Sequence, residues 1–319
     1  MSTTKLILAD DWGCDLTPET RRVARQQLRE DDAGREQALQ QMRDWIRKTQ
    51  DIQNYANFLL RFLRVKKFSV PMAQQTLLKY LTFRQSMPHL CAGLDFLEPS
   101  VHELLSSGYI FALPERDSEG RRVIFTVASK LNPYKYTCTD MAKAHMIAYE
   151  ALLEDEDNQV HGFCHVGDLQ HVSVAHATLW SPNEFAATIK LGEQSVPMRH
   201  RQIHLLNLPS AAKIFYDFAR QMFSDKLRKR FQIHSGLNEL HEKLNPKILP
   251  KEYGGIIPMK DMIDAWMREL LERRERLVSL DQMSLSRNFK LQSNRKSNGE
   301  RLKNSINSLP GSFRRLEVD

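Results

Sequence analysis

Apolar positions change their period along the chain. From Pro18 to Gln85 they recur at helical spacing. Thr17-Pro18-Glu19 supplies an N-cap, a proline at the first helical position and an acidic first turn, predicting a helix over about 18–32. A second, over 35–49, puts Leu39, Met42, Trp45 and Ile46 on one face. The stretch Tyr55 to Arg64 is dense enough in Phe and Leu to predict a buried helix, and Ser69 can cap another that ends near Gln85. From Gly108 the period shortens. Tyr109–Phe111 and Val123–Val127 read as strands around the turn Asp117-Ser118-Glu119-Gly120. Strand-like runs return at 162–167, 202–206 and 231–234. Between them lie helical stretches over 140–154 (capped by Thr139), 182–192 and 210–223, with a short basic helix over 225–230. Ser181-Pro182-Asn183-Glu184 is a capping box. Strands alternating with helices predict βαβ crossovers and a parallel sheet. Asp261 can open a last amphipathic helix to about Leu277.

Charge changes the picture at one end. The net charge of the 319 residues is +7, but from Ser284 onward eight basic residues face three acidic ones, which leaves +5 in that tail. The body is close to balance, so it binds anions only through a local cluster. The tail, rich in Ser, Asn and basic residues, is expected to be disordered or ordered only on binding. Cys14, Cys91, Cys138 and Cys164 are far apart and form no C-x-x-C, a reduced, cytosolic pattern. Leu6-Ile7-Leu8-Ala9 is too short for a signal core, and no run approaches the roughly 18 apolar residues of a span, so any membrane contact is expected to be peripheral.

Catalytic chemistry finds no foothold. His161 and His165, like His200 and His204, sit four apart on or beside strands, where such residues share a face but stand about 13 Å apart, too far for one ion. No nucleophile elbow, dinucleotide fingerprint, Walker A or zincin motif occurs. Asp168, at a strand end, reads as a loop or cap contact, or as a carboxylate facing a ligand. No catalytic residue, metal or cofactor is expected. Tyr109, Phe111, Phe125, Val127, Phe163, Phe185, Ile189, Ile203 and Leu205 fall on the sheet and its covering helices, which by periodicity alone is ordinary core. His145 and Tyr149 share a helix face, and a buried imidazole needs a partner. Helix 210–223 groups Ala211, Ile214 or Phe215, Phe218 and Met222 on one broad face, as a packed surface helix would. Lys66-Lys67, Arg199-His200-Arg201 and Asp225 to Arg230 are basic runs without interleaved aromatics, so nucleic acid is not the expected partner.

The order of these parts between His161 and Gly255 resembles the CRAL-TRIO (Sec14-like) lipid-transfer family. So do Phe58-Leu59-Leu60-Arg61-Phe62-Leu63-Arg64, and Gly162-Phe163-Cys164 preceded by Leu152-Leu153-Glu154. The last of these looks nearest to the family's retinaldehyde-binding and clavesin branch, and the resemblance covers roughly Tyr55 to Arg273. It implies an α/β lipid-binding domain with a mostly parallel sheet behind an all-helical N-terminal lobe. The implied boundaries are a flexible 1–15, a helical lobe over 16–95, the lipid-binding domain over 96–280 and a basic tail over 281–319. It turns the apolar sheet residues, with His145, Tyr149 and Asp168, into the lining of a cavity for one lipid. It makes Ile214, Phe215, Phe218 and Met222 a gate. It matches Lys66, Arg199, Arg201, Lys226, Arg228 and Arg230 to a phosphoinositide site. One departure stands out: the family's cavity carboxylate falls on Gly167, which speaks against retinaldehyde as the ligand.

Two functions follow. The first is a non-enzymatic carrier of one tocopherol-, retinoid- or other isoprenoid-like lipid, cytoplasmic and peripheral on endosomal or other phosphoinositide-bearing membranes. The alternative is a phosphoinositide-binding endosomal adaptor without stoichiometric cargo.

Overall fold

A computed structural model describes residues 16–51 and 55–285, except for the side chains of residues 48–51, 211, 215, 284 and 285. The expectations for residues 1–15, for the tail beyond 285, for Cys14 and for the Phe215 side chain lie outside the described residues.

The Thr17 hydroxyl accepts the Thr20 N–H and opens helix Pro18–Val23. The helix widens into a π-turn over Ala24–Leu28 and stops at Arg29, whose φ is +63°. That left-handed residue ends it before the expected 32, and helix Asp32–Thr49 follows. Helices Ala56–Val65 and Val70–Ser86 complete the N-terminal group. The later helix starts at Cys138 instead of 140, because the capping box is made by Thr137 with Asp140 and not by Thr139.

Two buried arginines tie this group to the rest. Arg61 donates to Glu150 (2.9 Å) and Glu154 (2.7 Å), and the Tyr80 hydroxyl donates to the other Glu150 oxygen. Burial pulls the Arg61 pKa down, but Glu154 and Glu150 outweigh it and hold it above its ordinary value. Arg64 is bidentate on Glu30 and also reaches Glu156 and Gln159.

The sheet has five strands: β1 (Ile110–Arg116), β2 (Arg122–Val127), β3 (Phe163–Asp168), β4 (His200–Leu206) and β5 (Phe231–His234). They lie in chain order. β1 runs antiparallel to β2, and every later pair is parallel. Gly162, with φ +83°, leads into β3; a Cβ there would lie 2.4 Å from the Arg199 carbonyl oxygen, so only glycine lets the two chains meet.

Alternation sorts the sheet into two faces. The lower face carries Phe111, Val123, Phe125, Val127, Cys164, Val166, Asp168, His204 and Leu206, all buried. It is covered by the segment after β5, where the Tyr253 ring packs 4.7 Å from Phe125. The upper face carries Phe163, His165, Gly167, Ile203 and Leu205. His200 breaks the alternation. Phe163 pairs with His200 but Cys164 pairs with Gln202, so Arg201 is an extra residue, a β-bulge. The bulge turns His200 to the upper face while His204 stays on the lower one. Strand spacing alone put both on the same face, and the bulge corrects that expectation.

Candidate functional site

Helix Cys138–Leu153 meets the upper face through Tyr149 against His165 and His200, helix Ser210–Met222 meets it through Tyr216 against Phe231, and helix Pro182–Ser195 packs beside the latter through Phe185 and Phe218. They pack differently. Helix 138–153 buries nine residues along its length. Helix 182–195 buries only Ser195, and among the described side chains of helix 210–222 only Ala212 is buried. An apolar helix laid on a filled core would bury its stripe. Here Phe185, Ile189, Phe218 and Met222, and beneath them Ile203 and Leu205, all keep part of their surface accessible.

A polar line crosses this region. The Tyr109 hydroxyl lies 3.0 Å from His145 Nε2, and His145 Nδ1 lies 3.2 Å from the Tyr149 hydroxyl. The Tyr149 ring stands edge-on to those of His165 and His200, which meet through Nε2 and Nδ1 at 2.9 Å. His145, Tyr149, His165 and His200 are each only partly buried by accessible surface, yet the protein around them strips away solvation. Burial pushes His145 down to about 4. It does the same to His200, with Arg230 adding to it. Burial, then His200 and His145, holds His165 well below the ordinary imidazole range. The sequence alone offered no signal for His165 or His200, because their meeting depends on the bulge.

Part of the expected cavity lining is elsewhere. Phe111, Phe125 and Val127 are on the lower face, packed to 5% exposure or less. Asp168 is also there, accepting from the Tyr253 hydroxyl (2.7 Å), Asn207 Nδ2 (2.9 Å) and the Gln170 N–H (3.0 Å), so its carboxylate is a buried structural hub. Phe163 is on the upper face but sealed, at 0%. Tyr109 is buried and reaches the region only through its hydroxyl. Ile214 is corrected as well: it is 76% exposed. The helix is turned so that Tyr216 meets Phe231 (6.1 Å), with Phe223, just beyond its end, stacked on the same ring (4.9 Å), and that rotation carries Ile214 outward. Phe218 instead stacks on Phe185 at 6.3 Å.

The basic residues come together from three stretches. Lys226 is lowered by burial and then by Arg230, Lys67, Arg199 and Arg201. Lys66 is lowered by burial, then by Lys79 and Lys226. Burial, then Arg201 and Arg230, brings Arg199 down to about 10. Lys67 and Lys79 join a group that the sequence drew more narrowly. Lys66 is presented by a left-handed turn, with φ +49° at Lys67 and +61° at Phe68. Arg228 instead pairs with Asp225, and Arg230 donates to the His200 carbonyl.

The CRAL/TRIO domain model matches residues 106–255. Clavesin-2 of Mus musculus is 32% identical over 261 residues, which are 81% of this chain and 80% of that protein. The chain belongs to the CRAL/TRIO family. Clavesin-1 of Xenopus laevis, another relative in it, is 32% identical over 260 residues, 80% of this chain and 78% of that one. The crystal structure of Sfh5 shares the fold, with a TM-score of 0.51 at 14% identity, over 78% of this chain and 99% of that one. CRAL/TRIO proteins bind and transfer lipids. Among the described residues no helix is long and apolar enough to cross a membrane.

The histidines carry a pH signature. Unfolded imidazoles titrate near pH 6.5. In the fold His145, His200 and His204 are pushed down to about 4, for His204 by burial and then by His234. Between those values the unfolded chain takes up protons that the folded chain refuses, so stability is full above pH 6.5 and falls as the pH drops towards 4. The urea midpoint is expected to fall steadily from pH 7 to pH 5, and less steeply in His204→Asn. A midpoint unchanged across that interval would mean that the folded histidines protonate normally.

Proposed function

We propose that this chain carries one hydrophobic molecule between the upper face and helices 182–195 and 210–222, and exchanges it at phosphoinositide-bearing membranes. The observation that carries this reading is a contrast along the upper face. Ile110, Ala112, Ile124 and Phe163 on it are buried, whereas Ile203, Leu205, His165 and His200 retain accessible surface. Surface that is desolvated but not closed is the lining of an interior space, here apolar with one polar line along a wall.

Helix 210–222 serves as the gate. Its N-cap, Pro209, offers no side-chain cap, and its C-cap, Phe223, is extended. Asn207, just before it, has φ +53°. Burying a chain of about 15 methylenes contributes about 12 kcal/mol, so release into water is slow and needs a membrane to receive the lipid. The helix follows the end of β4 and returns towards the start of β5, so it spans the sheet over about 20 Å. Exposed Ile214 lies near its first end, beside the contacting helix Val174–Ala177 with Val174 60% exposed; the basic group lies past its other end. A leaflet touching both therefore lies along the gate.

Protein purified from its native tissue is expected to show one apolar molecule per chain in native mass spectrometry. Folded protein that is consistently empty, and that takes up nothing from a broad lipid extract, would favour the adaptor reading.

A further inference from the structure

Helix 210–222 leaves β4 through a short linker, Asn207-Leu208-Pro209. The step taken here rests on the reading of that helix as the gate. Leu208 and Pro209 have no polar side chain, so Asn207 is the one linker residue whose side chain a hydrogen bond can tie. Its φ of +53° turns the chain out of the strand, and asparagine tolerates that left-handed geometry better than most residues. Asn207 Nδ2 donates to Asp168 Oδ1 at 2.9 Å. Asp168 ends β3 opposite Leu206 in register, and the Leu169 N–H donates to the Leu206 carbonyl. The tether therefore joins the first residue outside the sheet to the last rung inside it. The carboxylate is buried, and its donors among the described residues are all neutral: Asn207, the Tyr253 hydroxyl on Oδ2 and the Gln170 N–H on Oδ1. A desolvated carboxylate held only by neutral donors depends on each of them. The far end of the helix is tied differently. Ser224, just beyond it, donates its N–H and its hydroxyl to Glu193 of helix 182–195 and not to the sheet.

We propose that the Asp168 carboxylate is the lock of the gate hinge: it holds Asn207 in its left-handed turn and so sets how often helix 210–222 swings off the sheet to exchange cargo. Asp168 is a positioning residue and does not touch the cargo. Swinging the helix away turns the chain at its linker, and the Asn207 bond is the arm of the hub that such a turn breaks. The Tyr253 arm reaches Asp168 from the segment that covers the lower face, and it survives the motion. A hydrogen bond to a charged group, made here by an exposed asparagine, corresponds to about tenfold in the opening equilibrium.

Hydrogen exchange read by mass spectrometry tests the lock with no cargo present, because a protected amide exchanges through its local opening. Asn207→Asp keeps the size of the side chain and its tolerance of a left-handed φ, but sets a second carboxylate against Asp168. In the full chain carrying it, the amides of 214–222 are expected to exchange about tenfold faster, with those of β3, β4 and helix 138–153 unchanged within about twofold. Tyr253→Phe removes a different donor from the same carboxylate and is expected to leave 214–222 at the wild-type rate relative to the sheet. Release of NBD-labelled stearate from the loaded chain to phosphatidylcholine vesicles is expected to quicken by a similar factor in Asn207→Asp and not in Tyr253→Phe. Unchanged exchange in 214–222, or a rise shared equally by the sheet, overturns the lock and leaves the carrier reading standing. The same rise in Tyr253→Phe makes Asp168 a general support and also overturns it. Faster exchange without faster release means that the lock holds a helix that is not the gate, which overturns its role in exchange. Failure to take up the probe or anything from a broad lipid extract removes the carrier reading and that role with it, while hydrogen exchange still decides whether Asp168 holds the hinge. If Asn207→Asp does not fold, Asn207→Gly, which keeps the left-handed turn and loses the tether, is read in its place.

Discussion

Replacing Arg61 by leucine is expected to destabilise the protein by about 3–5 kcal/mol, because it leaves a buried charge without its partner. The Arg61 and Glu150 side chains are both at 0% exposure, and their contact at 2.9 Å joins helix Ala56–Val65 to helix 138–153. Glu150 would keep only the Tyr80 hydroxyl. Leucine fills most of the volume, so the loss reports the charge more than a cavity. The discriminating measurement is a double-mutant cycle in urea. Arg61→Leu/Glu150→Gln removes the charge as well as its partner, and the neutral amide can still accept from Tyr80. The double variant is expected to recover at least about 1.5 kcal/mol of the single loss. A single loss below about 1 kcal/mol, or no recovery, would mean that the Arg61–Glu150 pair does little to hold the two helices together.

That joint marks what the sequence could and could not tell. Local signals were readable because their cause is local. Thr17 and Ser181 cap the helices they precede, and the alternation of strands and helices after Val123 yields the parallel sheet. The density of Phe and Leu around Arg61 and Arg64 marked a buried helix, but their partners Glu150 and Glu30 lie 89 and 34 positions away, and nothing in spacing names them. The cavity set suffered from the same limit. Strand period puts Phe125 and Phe163 on one face or the other, but which face is filled depends on what covers it. Tyr253 and its neighbours close the face that holds Phe125 and Asp168. The bulge at Arg201 is a one-residue event that reverses a side chain, and the residues around it do not announce it. Spacing therefore does not single out His200, which shares a hydrogen bond with His165.

Reversing Arg201 and Lys226 to glutamate is expected to weaken binding to phosphoinositide vesicles by about 4 kcal/mol, nearly a thousandfold. Each basic residue near an anionic leaflet contributes about 1 kcal/mol, and two reversals remove two attractions and add two repulsions. These two are chosen from the basic group for their freedom. Arg199 is held on the Val160 carbonyl and on Gln27. Arg228 is paired with Asp225, and Arg230 holds the His200 carbonyl, so changing it would disturb the backbone at His200. Lys226 is exposed and close enough to Arg199, Arg201 and Arg230 that their charges depress it. Affinity for a lipid in solution should change by less than about twofold, since neither side chain belongs to the upper face beneath the helices. Raised salt should weaken wild-type vesicle binding in the same direction. The tail carries +5, so a chain ending at Leu285 is measured beside the full one. Transfer between vesicles with and without phosphoinositide then separates holding from delivery. Loss of lipid affinity with vesicle binding intact would make the group structural. Loss of vesicle binding only in the shortened chain would place the anchor in the tail.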